Sequence, residues 1–412
     1  LLFPFPIRLF MSEQEFQPES ERGFAPASNQ SVPPFPTSVK TEVLPSKIFN
    51  TEKTDYELTP LFFGQDAGLL DTINKQYPTL WKLYKTLRSL DWDENEFDYS
   101  SCNVEFATCD KATYDFMIKT LAWQWEADSM ASRAIASIMG PVCSSTELWC
   151  GYVKINENEN VHSLTYSEIV RSSFDNPDSV LHEILQVKEA MQRLTAVARI
   201  MKAAHDVSHM YALGQIKATQ EAYNAIFMFL VAMYFLERVQ FMASFAITFA
   251  ICRTGMFGPI GKAVERIAQD EFEIHAKFGQ EVLKIELATE RGQIAYQQCY
   301  PQILELTREI TDSENTWLDY LGQDGHELAG FTIEHGKRWH MFNVRAASTF
   351  IGTYDDMVRL GYEFPDKNPL PFMEDYLDVS STQASVQEEN NGQYKVNLMS
   401  RDDDDEEFDF DL

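Results

Sequence analysis

The sequence predicts an all-α protein, one large helical bundle with a few appended helices, on three observations. From about residue 48 to residue 376, apolar side chains recur at three- and four-residue spacing. Alternating β-branched runs of the kind that form strands are scarce, and the Gly and Pro breaks separate long periodic segments. No repeat of solenoid period is present.

Residues 1–47 are rich in Pro, Ser, Glu and Gln, with prolines crowded at Pro33, Pro34 and Pro36, and read as a disordered arm. Leu1 to Phe10 is apolar with one Arg, but its prolines, the lack of an initiating Met and the polar run behind it are foreign to a secretion signal; Met11 is a candidate natural start. Residues 48–376 form the expected helical domain, punctuated at Gly140-Pro141, Asn176-Pro177, Gly255 to Pro259 and Gly322 to Gly325. Within it, the apolar runs Ala225 to Leu236 and Phe241 to Cys252 are split by Glu237, Arg238, Val239 and Gln240. A bilayer span needs about twenty apolar residues with few charges, so a buried core helix is expected and no membrane partner. Residues 377–412 turn to Ser, Gln, Asn and Glu and close on Arg401-Asp402-Asp403-Asp404-Asp405-Glu406-Glu407-Phe408-Asp409-Phe410-Asp411-Leu412. On composition this is a flexible acidic tail. Phe408, Phe410 and Leu412 at its tip also suit a docking peptide for a partner that offers apolar pockets.

With 412 residues and 44% hydrophobic content, the chain can bury a large core. Its formal charge of -29 argues against nucleic acid, which requires clustered Lys and Arg, and favours a soluble protein with basic or apolar partners. Cys102, Cys109, Cys143, Cys150, Cys252 and Cys299 show no CxxC spacing, so neither a zinc site nor a disulfide framework is indicated. A reducing cytoplasm is the simpler setting.

The chemistry lies in carboxylates and histidines at helical spacing. Glu159 and His162 are three apart and share a helix face, so one oxygen and one imidazole nitrogen can reach a single ion. Glu271 and His275, four apart, form a second pair on one face. Glu237 sits between apolar runs on a helix where Phe241 and Phe245 follow at four-residue steps; burial there demands either an ion pair, for instance with Arg238, or a metal cation. Asp128, one long helix before the first pair, is either an ordinary exposed Asp or completes a set of four carboxylates and two histidines on four helices. That set is the composition of a di-iron carboxylate site in a helical bundle.

Several strings then make the chain resemble the small subunit of class I ribonucleotide reductase over roughly residues 48–412: Leu61-Phe62-Phe63-Gly64-Gln65, Leu90-Asp91-Trp92, Asp128-Ser129, Glu159-x-x-His162-x-x-x-Tyr166, Leu236-Glu237-x-x-x-Phe241-x-x-x-Phe245 and Ile267-Ala268-Gln269-Asp270-Glu271. The resemblance implies a ferritin-like fold and two iron ions per chain, or manganese in their place, on Asp128, Glu159, His162, Glu237, Glu271 and His275. It implies a radical on Tyr166 inside a pocket of Phe241, Phe245 and Ile267, with the Tyr166 hydroxyl within reach of Asp128. It further implies a transfer route through Asp270, bonded to His162 and to the Trp92 indole, and through Tyr394 in the tail; read without the resemblance, Trp92 is a core aromatic and Tyr394 a tail residue. The family spaces its second Glu and His three apart, and the four-residue spacing here would be absorbed by a π-bulge. Glu273, two residues from His275, points to another face, and the pair His205 and His209 has no matching role. The implied activity is ribonucleoside-diphosphate reductase, an oxidoreductase, with a large subunit docked through the tail and a homodimer within a heterotetramer. A di-iron oxidase or iron store would share the ligands without needing Tyr166 in an apolar pocket; a non-catalytic interaction protein would leave Glu237 buried without reason.

Overall fold

The computed structural model describes residues 59–379 apart from 66–68, 72, 324, 326 and 327. The arm expected over 1–47, and with it Tyr394, Phe408, Phe410 and Leu412 of the expected tail, lie outside the described residues. Fourteen α-helices and two π-helical turns make up the described chain, with isolated bridges Phe62 to Cys143 and Leu328 to Phe331 in place of strands. In order they are α1 (Pro78–Ser89), α2 (Cys102–Thr108), α3 (Lys111–Val142), α4 (Thr146–Ser173), α5 (Pro177–Ile184), α6 (Lys188–Ala212), α7 (Gln220–Phe235), π1 (Leu236–Gln240), α8 (Phe241–Cys252), α9 (Gly258–Gln269), π2 (Asp270–His275), α10 (Ala276–Leu287), α11 (Glu290–Leu321), α12 (Ile333–Ile351), α13 (Tyr354–Arg359) and α14 (Phe372–Leu377).

The long helices start on side chains that satisfy their first free N–H groups. Asp110 accepts from Thr113 N at 2.9 Å ahead of α3, and Ser145 from Leu148 N at 3.1 Å ahead of α4. Asn176-Pro177 opens α5 with proline in the first turn, where its missing donor is harmless. Gly140-Pro141 does not interrupt α3 but lies in its final turn, which closes at Val142. Gly352, at φ 85°, ends α12 in the left-handed conformation that glycine adopts without penalty.

The core is one contiguous cluster in which α3 packs on α4 and α6, and α7 on α6 and α11. The run Gln220–Cys252 is long and apolar enough to cross a membrane, yet 89% of its most apolar window is buried inside the protein. It is the central helix of the bundle, and its burial on all sides explains why it is hydrophobic all round. Gly151 lets α4 and α10 approach closely: a Cβ there would stand 2.1 Å from Cζ of Phe278. All six cysteines are free thiols.

Candidate metal centre

Four helical segments aim acidic or imidazole side chains at one buried point. Helix α3 supplies Asp128; α4 supplies Glu159 and His162; π1 supplies Glu237; and π2 supplies Glu271 and His275, all buried. Ligand atoms of Asp128, Glu159, His162 and Glu271 lie within 4.8 Å of one another, and so do those of Glu159, Glu237, Glu271 and His275. Glu159 and Glu271 belong to both groups. Two cations sharing two carboxylates, each with one histidine and one further carboxylate, match this arrangement.

The π2 turn accounts for the four-residue spacing of Glu271 and His275. Ala276 N bonds to Glu271 O, five residues back, so the turn holds an extra residue and still brings His275 Nδ1 to 2.9 Å from Glu271 Oε2. Glu273 faces away and pairs with Lys277. A second π turn, π1, with Phe241 N bonded to Leu236 O, contains Glu237.

Both imidazoles are held by the nitrogen that points away from the ligand carboxylates. His162 Nε2 is 3.2 Å from Asp270 Oδ2 and His275 Nε2 is 2.8 Å from Asn158 Oδ1, which assigns the proton of each ring to Nε2. Nδ1 is then free as a ligand, 2.9 Å from Glu271 Oε1 for His162, while His275 Nδ1 also lies 3.1 Å from Glu159 Oε1. Asp270 Oδ2 collects three donors: Trp92 Nε1 at 2.8 Å, Asn158 Nδ2 at 3.1 Å and His162. The rings of Trp92 and His162 stack at 5.9 Å, and those of His162 and His275 at 5.6 Å. Asn158, one residue before Glu159, was missed in the sequence because an Asn on a helix face carries no ligand signal.

The donor set fits a cation. The carboxylate oxygens of Asp128 and Glu237 have no hydrogen-bond donor among the described residues, and those of Glu159 have none in hydrogen-bonding alignment. Burial, and then the charge of Glu159, pushes Asp128 well above its ordinary value; burial and then Glu271 do the same to Glu237, whose one available bond is the one it would donate to Glu271 as a neutral acid. Burial alone would raise Glu271 and lower the histidines, but their mutual attraction prevails: Glu271 is held well below its usual range and His275 is pushed up to about 9. Carboxylates starved of donors and histidines drawn toward protonation are what cation ligands look like when protons alone supply positive charge.

Arg238 does not neutralise Glu237; it donates to Asn343 and lies 4.8 Å from the Phe272 ring. Tyr166 is fully buried one turn beyond His162, and its hydroxyl has no hydrogen-bond partner among the described residues; Asp128, which the resemblance puts within its reach, acts on it through its charge and not through a hydrogen bond. Burial and then Asp128 push its hydroxyl well above the usual phenol value, which keeps it protonated. Phe241, Phe245 and Ile267 are fully buried in the same core, the two phenylalanines stacked at 5.6 Å. His205 and His209 stack on each other at the exposed face of α6, away from this centre.

Comparison with known proteins agrees with the geometry. Residues 71–344 match the family model "Ribonucleotide reductase, small chain". The chain is similar to the ribonucleoside-diphosphate reductase subunit beta of Buchnera aphidicola, 24% identical over 379 residues that cover 87% of this chain and 97% of the relative. Its fold is similar to that of the ribonucleotide reductase R2 subunit from Clostridium botulinum, with a TM-score of 0.69, 16% identity, and coverage of 82% of this chain and 99% of that one. A dimanganese(II)-NrdF structure from Streptococcus sanguinis aligns with a TM-score of 0.56 at 15% identity, over 75% of this chain and 98% of that one. The fold is thus the ferritin-like helical bundle, and the chain belongs to the ribonucleotide reductase small-chain family.

Proposed function

We propose that this small subunit of ribonucleoside-diphosphate reductase stores a one-electron oxidant as a neutral radical on Tyr166 and delivers it to its large subunit. The observation that carries the reading is the pair of buried ligand groups sharing Glu159 and Glu271, with their donor-starved oxygens, one helical turn from a buried phenol. Two iron ions on Asp128, Glu159, His162, Glu237, Glu271 and His275, with dioxygen, supply the oxidising power; manganese is the alternative occupant. The residues of this chain do the rest. Full burial of Tyr166 keeps water and reductants from the ring, and Phe241, Phe245 and Ile267, fully buried in the same core, are its proposed pocket. Its hydroxyl, without a hydrogen-bond partner among the described residues, would pass its proton to Asp128, the carboxylate acting on it most strongly, as its electron leaves for the metal pair that dioxygen has oxidised.

Asp270, bonded to Trp92 and His162, joins the centre to the Trp92 loop and is the proposed exit for the hole. From there Tyr394 would relay it to the large subunit, docked by the tail. A homodimer within a heterotetramer is proposed, and exposed Trp149, Val153 and Leu164 on α4 offer an apolar face for a second copy. The setting proposed is cytoplasmic. Electron paramagnetic resonance of iron-loaded, oxygen-exposed protein tests the core of this reading. A tyrosyl signal is expected, and Tyr166→Phe should abolish it while bound iron persists; an unchanged signal in that variant overturns the assignment.

A further inference from the structure

The bundle buries a second charged cluster that the metal site does not use. Arg193 on α6 and Glu314 on α11 have fully buried side chains. Arg193 donates to Glu314 through both Nε and Nη2, the latter at 2.6 Å. Its other donors reach the stretch just after Glu237: Nη2 to Gln240 O at 2.7 Å and Nη1 to Ser244 Oγ at 2.8 Å. Gln240 answers, its Nε2 donating to Arg193 O at 3.0 Å and lying 3.3 Å from Glu314 Oε1. The guanidinium sits 3.6 Å from the centroid of the Trp123 ring, and Trp123 packs edge-on against Phe241 at 5.0 Å.

A buried ion pair is poor value as a stabiliser, because an apolar pair of similar volume often does as well or better. In some proteins a buried polar or charged group instead fixes a register. Gln240 closes the π1 turn and Ser244 lies four residues beyond it. A π turn holds one more residue than the α turn it replaces and has weaker geometry. Relaxing it would rotate one side of the helix against the other by about 100°, and Glu237 would leave the ligand cluster. We propose that the Arg193–Glu314 pair is a positioning device that locks the register of π1 through Gln240 and Ser244, and so aims Glu237 into the metal centre. Arg193 touches no ligand; it acts through the backbone and side chain of Gln240. The inference rests on the metal-centre reading above.

The test uses the full chain and Mn2+ alone, titrated while the free ion is followed by electron paramagnetic resonance. Arg193→Met combined with Glu314→Leu removes both charges, and Gln240→Met combined with Ser244→Ala leaves the ion pair intact but removes both side chains of this stretch that bond to Arg193, so that only the bond to the Gln240 carbonyl remains; if the first double variant does not fold, the second decides. Wild type should bind two Mn2+ per chain. In the variants one ion should keep its affinity on the Asp128 and His162 side, while the other, which needs Glu237, weakens about 10- to 100-fold, as loss of outer ligand-orienting partners typically does. Hydrogen exchange of the metal-free protein should show lost amide protection over 236–244 and unchanged protection over 159–166. Two unweakened sites with unchanged exchange overturn the proposal. So does equal weakening of both sites with protection lost throughout, which would make Arg193 a general structural residue. Fewer than two Mn2+ on wild type would sink the metal reading instead, and the exchange experiment would then judge the lock on its own.

Discussion

At the scale of single residues, carboxylates that face the buried cluster differ from a neighbouring one that an ammonium group satisfies. Glu237 and Glu271 face the cluster, whereas Glu273 is satisfied by Lys277. Glu237→Ala and Glu271→Ala should each lower bound iron below the wild-type content, and Glu273→Ala should not; metal analysis of the purified variants that found iron lost in Glu273→Ala alone would show that π2 is read in the wrong register. His340 is a residue whose titration is separate from the ligands. Burial and then the charge of Arg193 push it down to about 3, against an ordinary value of about 6.5. Below pH 6.5 the unfolded chain therefore takes up a proton that the folded protein refuses, and stability is lost as pH falls toward 3. Replacing it by Gln removes this contribution. From pH 6.5 to pH 5 the stability of His340→Gln relative to wild type should rise by about 1–2 kcal/mol in urea denaturation, the slope growing from half of about 1.4 kcal/mol per pH unit at pH 6.5 to nearly all of it at pH 5. A constant difference would exclude the burial of a neutral imidazole.

At the scale of elements, both π turns lie at ligand-bearing segments, and each places a carboxylate where a regular helix would not. The inter-helix spacing is equally exacting at Gly151, where α4, carrying Glu159 and His162, meets Phe278 on α10. Gly151→Ala should destabilise the protein by about 1–3 kcal/mol through overpacking, although alanine is the better helix former. Gly279→Ala on α10, where a Cβ meets nothing within 4 Å, is the control and should gain about 0.5–1 kcal/mol. Equal effects in the two variants, read from urea midpoints, would show that α4 and α10 can part without cost.

At the scale of the whole molecule, the proposed function gives the bundle and the tail separable tasks. The bundle holds every described residue of the centre, and the tail carries Phe408, Phe410 and Leu412 alternating with Asp409 and Asp411. Each apolar anchor buried in a partner contributes roughly 1.5–3 kcal/mol before ordering costs. Deleting residues 402–412 should leave iron content and the Tyr166 radical intact while eliminating nucleotide reduction with the cognate large subunit, and a peptide of the last residues should compete with the full chain. Full turnover by the truncated protein, with unchanged affinity in a titration, would reduce the tail to a solubilising appendage.

Local periodicity is a property of the sequence alone. The all-α class, the central apolar helix and the spacing of Glu159 with His162 follow from which side chains share a helix face, and that requires no knowledge of a neighbour. Even the irregular spacing of Glu271 and His275 pointed to a bulge. The rest depended on partners remote in the chain. Trp92 meets Asp270 across 178 positions, a bond that the family resemblance implied but no local pattern could, while His275 meets Asn158 across 117 and Arg193 meets Glu314 across 121 with no such guide. The π1 turn had no spacing anomaly to betray it, and the freedom of the Tyr166 hydroxyl from Asp128 is a matter of a side chain's reach within a packed core. Which helices lie side by side is decided by packing of the whole bundle, so the tertiary structure alone settled which donors each buried charge would meet and which oxygens would be left for a cation.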